Sequence, residues 1–293
     1  MTLLELIDQS AERLRWAGVS FGHGTLNAFD EACWLALWRL GLPLDELDSV
    51  AERVLDDDER RAIEALVQER IASRKPAAYL TREAWLQGQS FYVDERVIVP
   101  RSLIAEVLVQ GLLDPWMPDG PGFALDLCTG SASLAVLAAQ NYPWLRIDAS
   151  DLSFDALQVA AINLQRHGLE SRIRLIECDA LPPTAQRSAP AYDLILCNPP
   201  YVNRQSMAVL PAEYRAEPSL ALDGGADGMD FIRPLLAQAA QAMQEGAVLV
   251  LEVGHEREHF ERAFPQLQPL WLQTSGGIDQ VLLLEKSQLI HLP

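Results

Sequence analysis

From Thr2 to Lys75 apolar residues recur every three to four positions. Leu3, Ile7, Ala11 and Leu14 form one stripe, Cys33, Ala36, Leu37 and Leu40 a second, and Ile63, Leu66, Val67 and Ile71 a third. That spacing predicts three amphipathic helices. Thr2 and Glu5 are spaced as a capping box for the first, Asn27 precedes the second, and Asp56 to Asp58 precede the third, while Gly18, Gly41 with Pro43, and Pro76 supply the stops. Between Glu83 and Pro100 the texture changes to aromatic and β-branched residues broken at Gly88, the pattern of a β-hairpin.

Strand and helix patterns then alternate. Phe123 to Leu127, Arg146 to Ser150, Ile173 to Cys178, Tyr192 to Cys197 and Ala247 to Val253 read as strands, with helices through Leu134, Leu157 and Leu235 between them. This rhythm predicts an α/β fold with a doubly wound, mostly parallel sheet. Leu267 to Gln273, the Gly276-Gly277 turn and Ile278 to Glu285 predict an antiparallel hairpin that finishes it. The expected organisation is a helical substrate-docking domain over residues 1–76, a β-hairpin linker over 77–102, and the sheet domain over 103–293.

Charge narrows the partners. The chain has 23 Lys and Arg against 41 Asp and Glu, a net charge of −18. Such a surface repels phosphate backbones, so direct DNA binding is not expected, and it attracts basic proteins. The four cysteines, Cys33, Cys128, Cys178 and Cys197, have no CxxC spacing and read as reduced packing residues of a cytoplasmic protein. No signal peptide is expected, since residues 1–10 already read as a helix, and no apolar run reaches the ~20 residues of a membrane span.

Ligands of doubly wound sheets bind beyond the carboxyl ends of the strands. The first strand leads into Asp126-Leu-Cys128-Thr129-Gly130-Ser131-Ala132, a turn of small residues. A dinucleotide fingerprint would need glycines at 128, 130 and 133, and only Gly130 is present, which disfavours pyrophosphate. S-adenosyl-L-methionine carries no phosphate. It needs the turn at Gly130, an acceptor such as Asp126 for its positive groups, a ribose carboxylate, for which Asp151 stands at the second strand end, and an adenine contact, for which Asp179 stands at the third.

The fourth strand runs into Asn198-Pro199-Pro200-Tyr201. Amide and exocyclic amino nitrogens are weak nucleophiles because their lone pair is delocalised, so a catalyst must grip the NH2 group with acceptors. Asn198 offers a side-chain oxygen, Pro199 and Pro200 lack N–H groups and leave carbonyls free, and Tyr201 supplies a flat face. The expected chemistry is methyl transfer to a planar nitrogen, with no metal.

Taken together, Pro76-Ala-Ala-Tyr79-Leu80, Phe91 to Arg96, Val99-Pro100-Arg101-Ser102, the turn at 126–132, the tetrapeptide at 198–201, Glu217 to Leu222 and Gly225 to Gly228 carry a resemblance across nearly the whole chain. The sequence resembles the HemK-type protein-glutamine methyltransferases. The resemblance implies a class I, Rossmann-like methyltransferase domain that modifies the side-chain amide of glutamine, with Asn198 and Tyr201 contacting that glutamine and Asp126, Gly130, Asp151 and Asn198 contacting the cofactor. Val99-Pro100-Arg101-Ser102 and Cys128 look like the branch acting on the large-subunit ribosomal protein numbered three, a basic partner. Alternatives are a peptide-chain release factor as substrate, an adenine-amino methyltransferase, and a non-catalytic cofactor-binding module acting in ribosome assembly. Ala132 departs from a position usually held by glycine, which implies a tighter pocket around the methionine portion. Oligomeric state is not legible.

Three other signals have plainer readings. His255-Glu256-Arg257-Glu258-His259 fits HExxH but follows a buried strand and has no marked third ligand, so it reads as a solvated helix start. Asp223 to Gly228 lacks the ending of a phosphate loop and reads as a turn. Trp34 and Trp38, four apart, read as core or interface packing.

Overall fold

The computed structural model describes residues 1–290 and residue 292; the expected domain bound at residue 293 lies outside the described residues. Its N-terminal bundle begins with α1 (Leu3–Trp16), where Thr2 Oγ1 accepts from the Glu5 amide and Glu5 Oε2 accepts from the Thr2 amide, at 3.2 and 2.7 Å. Asn27 caps α2 (Ala28–Leu40), which ends at left-handed Gly41. A short turn of helix, α3 (Leu47–Val50), precedes α4 (Asp57–Ser73), which is capped reciprocally by Asp56 and Glu59. Pro76 does not stop helical structure altogether, because it starts α5 (Ala77–Thr81): a proline fixes a φ suited to the first turn and has no N–H to leave unpaired.

The predicted hairpin is shorter than its sequence pattern. Strands β1 (Ala84–Leu86) and β2 (Gln89–Phe91) pair antiparallel across Gln87 and Gly88, both in the left-handed region that a two-residue hairpin turn requires. After Phe91 the backbone leaves the ladder because a side chain takes its hydrogen bonds. Asn163 Oδ1 accepts from the Tyr92 amide at 2.7 Å, and its Nδ2 donates to the Tyr92 carbonyl at 3.0 Å.

Helix α6 (Ile104–Val109) leads into alternating strands and helices: β3 (Gly122–Leu127), α7 (Ser133–Asn141), β4 (Leu145–Asp151), α8 (Phe154–His167), β5 (Ile173–Glu177), β6 (Tyr192–Cys197), α9 (Arg204–Val209), α10 (Ile232–Ala239), β7 (Met243–Glu252), α11 (Arg257–Ala263), β8 (Leu270–Thr274), β9 (Gly277–Glu285) and α12 (Lys286–Leu289). They build a seven-stranded sheet of order β5-β4-β3-β6-β7-β9-β8, parallel except where β9 runs antiparallel between β7 and β8. The fold is therefore the Rossmann-like, doubly wound methyltransferase sheet with a terminal antiparallel hairpin. Helices cover both faces, which is why β3 and β6 are almost continuously apolar. No helix among the described residues is long and apolar enough to cross a membrane.

The bundle is not packed on itself alone. Ala156 and Val159 of α8, with Val93, Val97 and Val99, share its core. A buried ionic chain reinforces this contact: Arg70 Nε meets Glu31 at 2.9 Å, Arg70 Nη1 meets Glu213 at 3.3 Å, and Arg74 Nε meets Glu213 at 2.6 Å. Glu213 lies in the long connection after β6, so α2 and α4 are tied to the segment that follows the Asn-Pro-Pro-Tyr tetrapeptide.

Candidate active site

The turn after β3 uses left-handed backbone three times, at Cys128, Gly130 and Ala132, on alternate residues. The Thr129 amide donates to the Ser150 carbonyl, and the Gly130 amide donates to Asp151 Oδ2, each at 2.9 Å. Asp151 Oδ1 accepts from the Ser153 amide at the start of α8. The carboxylate at the end of β4 thus fixes the turn after β3, and burial pushes its pKa up against these stabilising bonds. Asp126 is buried behind the turn, where one oxygen accepts from Thr129 and Ala135 while Oδ1 has no partner among the described residues. Burial pushes this carboxyl up to about 7, with the two hydrogen bonds holding it back.

Strand β6 delivers Asn198 and Pro200 to the same cleft. Its walls hold Cys128, Gly130, Asp151, Cys178, Asp179, Asn198 and Pro200, with Leu220 and Phe231 closing it from the long connection. Asn198 is half-buried and faces this space, whereas Pro199 is buried behind it. Thr129, Ser131 and Ala132 are buried in the turn and do not line the cleft; the Ala132 methyl packs into the main core. Asp179 lies two residues beyond the end of β5 and is exposed. Cys128 and Cys178, expected as packing residues, are half-buried and face the cleft, and all four cysteines are free thiols.

Tyr201, expected to face the substrate amide, is half-buried and does not line this cleft. Its phenol donates to Glu252 Oε1 at 3.0 Å, and Glu252 Oε2 accepts from Ser102 Oγ at 2.6 Å and from the Leu103 amide at 2.9 Å. Burial, helped by the Glu252 carboxylate, raises the phenol well above its ordinary value, so it remains a donor. Two glycines allow the close approach. A Cβ on Gly228 would stand 2.3 Å from the Tyr201 carbonyl oxygen, and one on Gly254 would stand 2.5 Å from its ring; both residues have positive φ. Gly254→Ala should therefore push the ring aside and lower kcat by up to about 10²-fold, since small misplacements of an oriented group have that cost. Cofactor affinity should stay within twofold, and wild-type kcat in this variant would contradict the packing argument.

The most consequential group that sequence reasoning passed over as a contact is Glu217. Its carboxylate receives both Nη atoms of Arg101 at 2.6 and 2.7 Å and the Val99 amide at 2.9 Å, and His23 Nε2 lies 3.5 Å away. Burial opposes its ionisation, but Arg101 and His23 outweigh that and hold it at about 2. Arg101 also lies over the Tyr214 ring, 5.3 Å from its centroid. The motifs at 99–102 and 217–222 are thus two halves of one clamp beside the tetrapeptide. Both stretches stood out in the sequence as carriers of the family resemblance, but nothing local pairs residues 116 positions apart.

The HExxH stretch is arranged for packing. Glu256 is buried and accepts from Asn203 Nδ2 at 2.6 Å and meets His259 Nδ1 at 2.5 Å, whereas His255 is exposed. The turn at 223–228 is stitched to the segment after Tyr201 by the Val202 amide on the Leu222 carbonyl and the Gly224 amide on the Val202 carbonyl, each at 2.9 Å.

The methyltransferase small domain family matches residues 105–213. Ribosomal protein uL3 glutamine methyltransferases from Bordetella pertussis and Burkholderia pseudomallei are 53% and 49% identical, each over 98% of this chain and 96% and 95% of theirs. One from Bradyrhizobium diazoefficiens is 40% identical over 99% of this chain and 92% of its own. Among solved structures, the catalytic domain of hMettl16 in complex with a MAT2A 3'UTR hairpin shares the fold at a TM-score of 0.52 and 12% identity, covering 78% of this chain and 81% of that one. A methyltransferase sheet, a cleft that holds Asn198 and Pro200 beyond its strand ends, and full-length identity at this level converge: the chain belongs to the ribosomal protein uL3 glutamine methyltransferase family.

Proposed function

We propose that this protein methylates the side-chain amide nitrogen of a glutamine in ribosomal protein uL3, with S-adenosyl-L-methionine as donor, in the cytoplasm where ribosomal proteins are made. The observation that carries the reading is that Asn198 and Pro200 share one cleft with Gly130, Asp151 and Asp179. The names of relatives covering the whole chain supply the substrate.

The cleft fits a phosphate-free, positively charged cofactor. Asp126, buried behind the cleft lining, has an unpartnered oxygen that would take an ammonium, and Asp151 and Asp179, which line the cleft, would take the ribose hydroxyls and the adenine side. Cys128, Thr129, Gly130, Ser131 and Ala132 shape the turn against which such a ligand lies. When bound, it supplies an activated methyl on a sulfonium. The Asn198 oxygen and a carbonyl of the Pro199-Pro200 pair accept the two N–H bonds of the glutamine amide and direct its lone pair toward the donor. Tyr201, fixed by Glu252, offers its ring to the flat amide. No strong base is needed at this site, because the nitrogen's proton becomes acidic only as the new bond forms.

Incubation with labelled donor and, separately, unmodified uL3 and a release factor tests the substrate. Label on uL3 alone is expected, and label on the release factor alone overturns the assignment. The buried Asp126 gives a second test. A ligand ammonium favours the ionised carboxylate, so binding expels a proton below about pH 7. Donor affinity should rise between pH 6 and 7 and level off above, and Asp126→Asn should flatten the profile. A flat profile in the wild type would remove Asp126 from the contact set.

A further inference from the structure

We propose that the groove between the N-terminal bundle and the β1-β2 hairpin is a second docking site for the protein substrate. It takes an extended segment that carries a bulky apolar residue beside lysines or arginines. The inference rests on the reading above that the substrate is a ribosomal protein. Trp34 and Trp38, one helical turn apart on α2, line it together with Trp85 of β1, Leu42, Asp45 and Glu83. Three of the chain's seven tryptophans therefore line one depression.

Aromatic anchors gathered around a groove are the usual composition of a binding hot spot. Trp85 is 45% exposed. The Trp34 indole N–H is buried without an acceptor among the described residues, a donor that a peptide carbonyl entering beside it would take. Trp34 packs in the bundle core and Trp38 lies half-buried against it, yet both also line the groove.

Charge selects the occupant. No lysine, arginine or histidine lines the groove, and residues 1–76 hold nine basic against 15 acidic side chains. Nucleic acid is repelled by this surface, but a protein built to lie on ribosomal RNA is itself rich in lysine and arginine. The groove is also wired to the catalytic segment. Thr25 in its wall donates to Glu31 at 3.1 Å, Glu31 meets Arg70 at 2.9 Å, and Arg70 meets Glu213 at 3.3 Å. A substrate anchored here is held at a fixed offset from Asn198, which raises the effective concentration of its glutamine without a new contact at the cleft.

The test is steady-state methylation of full-length uL3 and of a short peptide carrying the target glutamine. It compares wild type with the Trp38→Ala/Trp85→Ala double variant and with Asp45→Lys/Glu83→Lys. The second pair changes only rim charge and guards against misfolding. Each variant should raise KM for the full protein by about tenfold or more, with kcat and the peptide kinetics within twofold. If the wild type methylates neither substrate, the functional reading fails. If it methylates both and the variants keep the wild-type KM, or lose peptide and protein activity equally, the groove assignment fails. A variant that turns a dimer into a monomer in sedimentation with KM unchanged likewise overturns it, in favour of a second copy of this chain.

Discussion

Asn198→Ala is expected still to bind S-adenosylmethionine but, at saturating donor, to transfer methyl 10²- to 10³-fold more slowly, the usual effect of losing one oriented hydrogen-bonding group in a reaction centre. The residue lies at the end of a strand, half-buried and facing the cleft, so its loss removes an acceptor without opening the core. Neighbouring β6 positions Leu194, Ile195, Leu196 and Cys197 carry the packing instead. Single-turnover methylation with saturating donor, alongside a calorimetric titration of the donor, separates the two effects. Wild-type turnover in the variant would end the assignment of Asn198 to the amide grip. Reduced donor affinity with an unchanged single-turnover rate would move the residue to cofactor binding.

Arg70→Met should be the most destabilising of the substitutions considered, by about 3–5 kcal/mol. The reason is the company Arg70 keeps: its side chain and those of Glu31 and Glu213 are each no more than 1% exposed. Removing the cation leaves Glu31 with only the Thr25 hydroxyl and leaves Glu213 to Arg74. Burial already pushes the Glu31 carboxyl up against the pull of Arg70. Without that pull its raised pKa moves further up, so the variant gains stability as pH falls through the range in which Glu31 protonates and loses it as pH rises. Urea denaturation at pH 5 and pH 8 measures both the loss and its pH dependence. Adding Glu31→Gln to Arg70→Met should restore part of the loss, and no restoration would show that the damage is one of packing volume. Because Glu213 sits beyond the tetrapeptide, the single variant should also lower activity on full-length substrate at temperatures where it remains folded.

The local readings succeeded where the determining physics spans a few residues. The capping box at Thr2, the helix start after Asp56, the stop at Gly41, strand β6 at its predicted bounds and the turn at 126–132 each depend on neighbours within about one turn of helix or one strand. The predicted hairpin was overextended because its alternation is real, yet Asn163, 71 residues away, captures the backbone of Tyr92. Ala132 shows the same limit. Sequence context suggested a methyl that tightens the pocket, and the chain direction in the turn sends that methyl into the core.

The amino-acid order alone determined the alternating α/β build, the absence of a phosphate-binding glycine set, and the Asn-Pro-Pro-Tyr segment following an apolar strand, because each is written in nearest-neighbour chemistry. Tertiary structure decided the rest. It inserted β9 between β7 and β8, brought Glu217 onto Arg101 across 116 positions and Glu213 onto Arg70 across 143, and closed Gly228 and Gly254 around Tyr201. Such pairings are chosen by which groups must be neutralised once a core excludes water, and that demand exists only after distant segments meet.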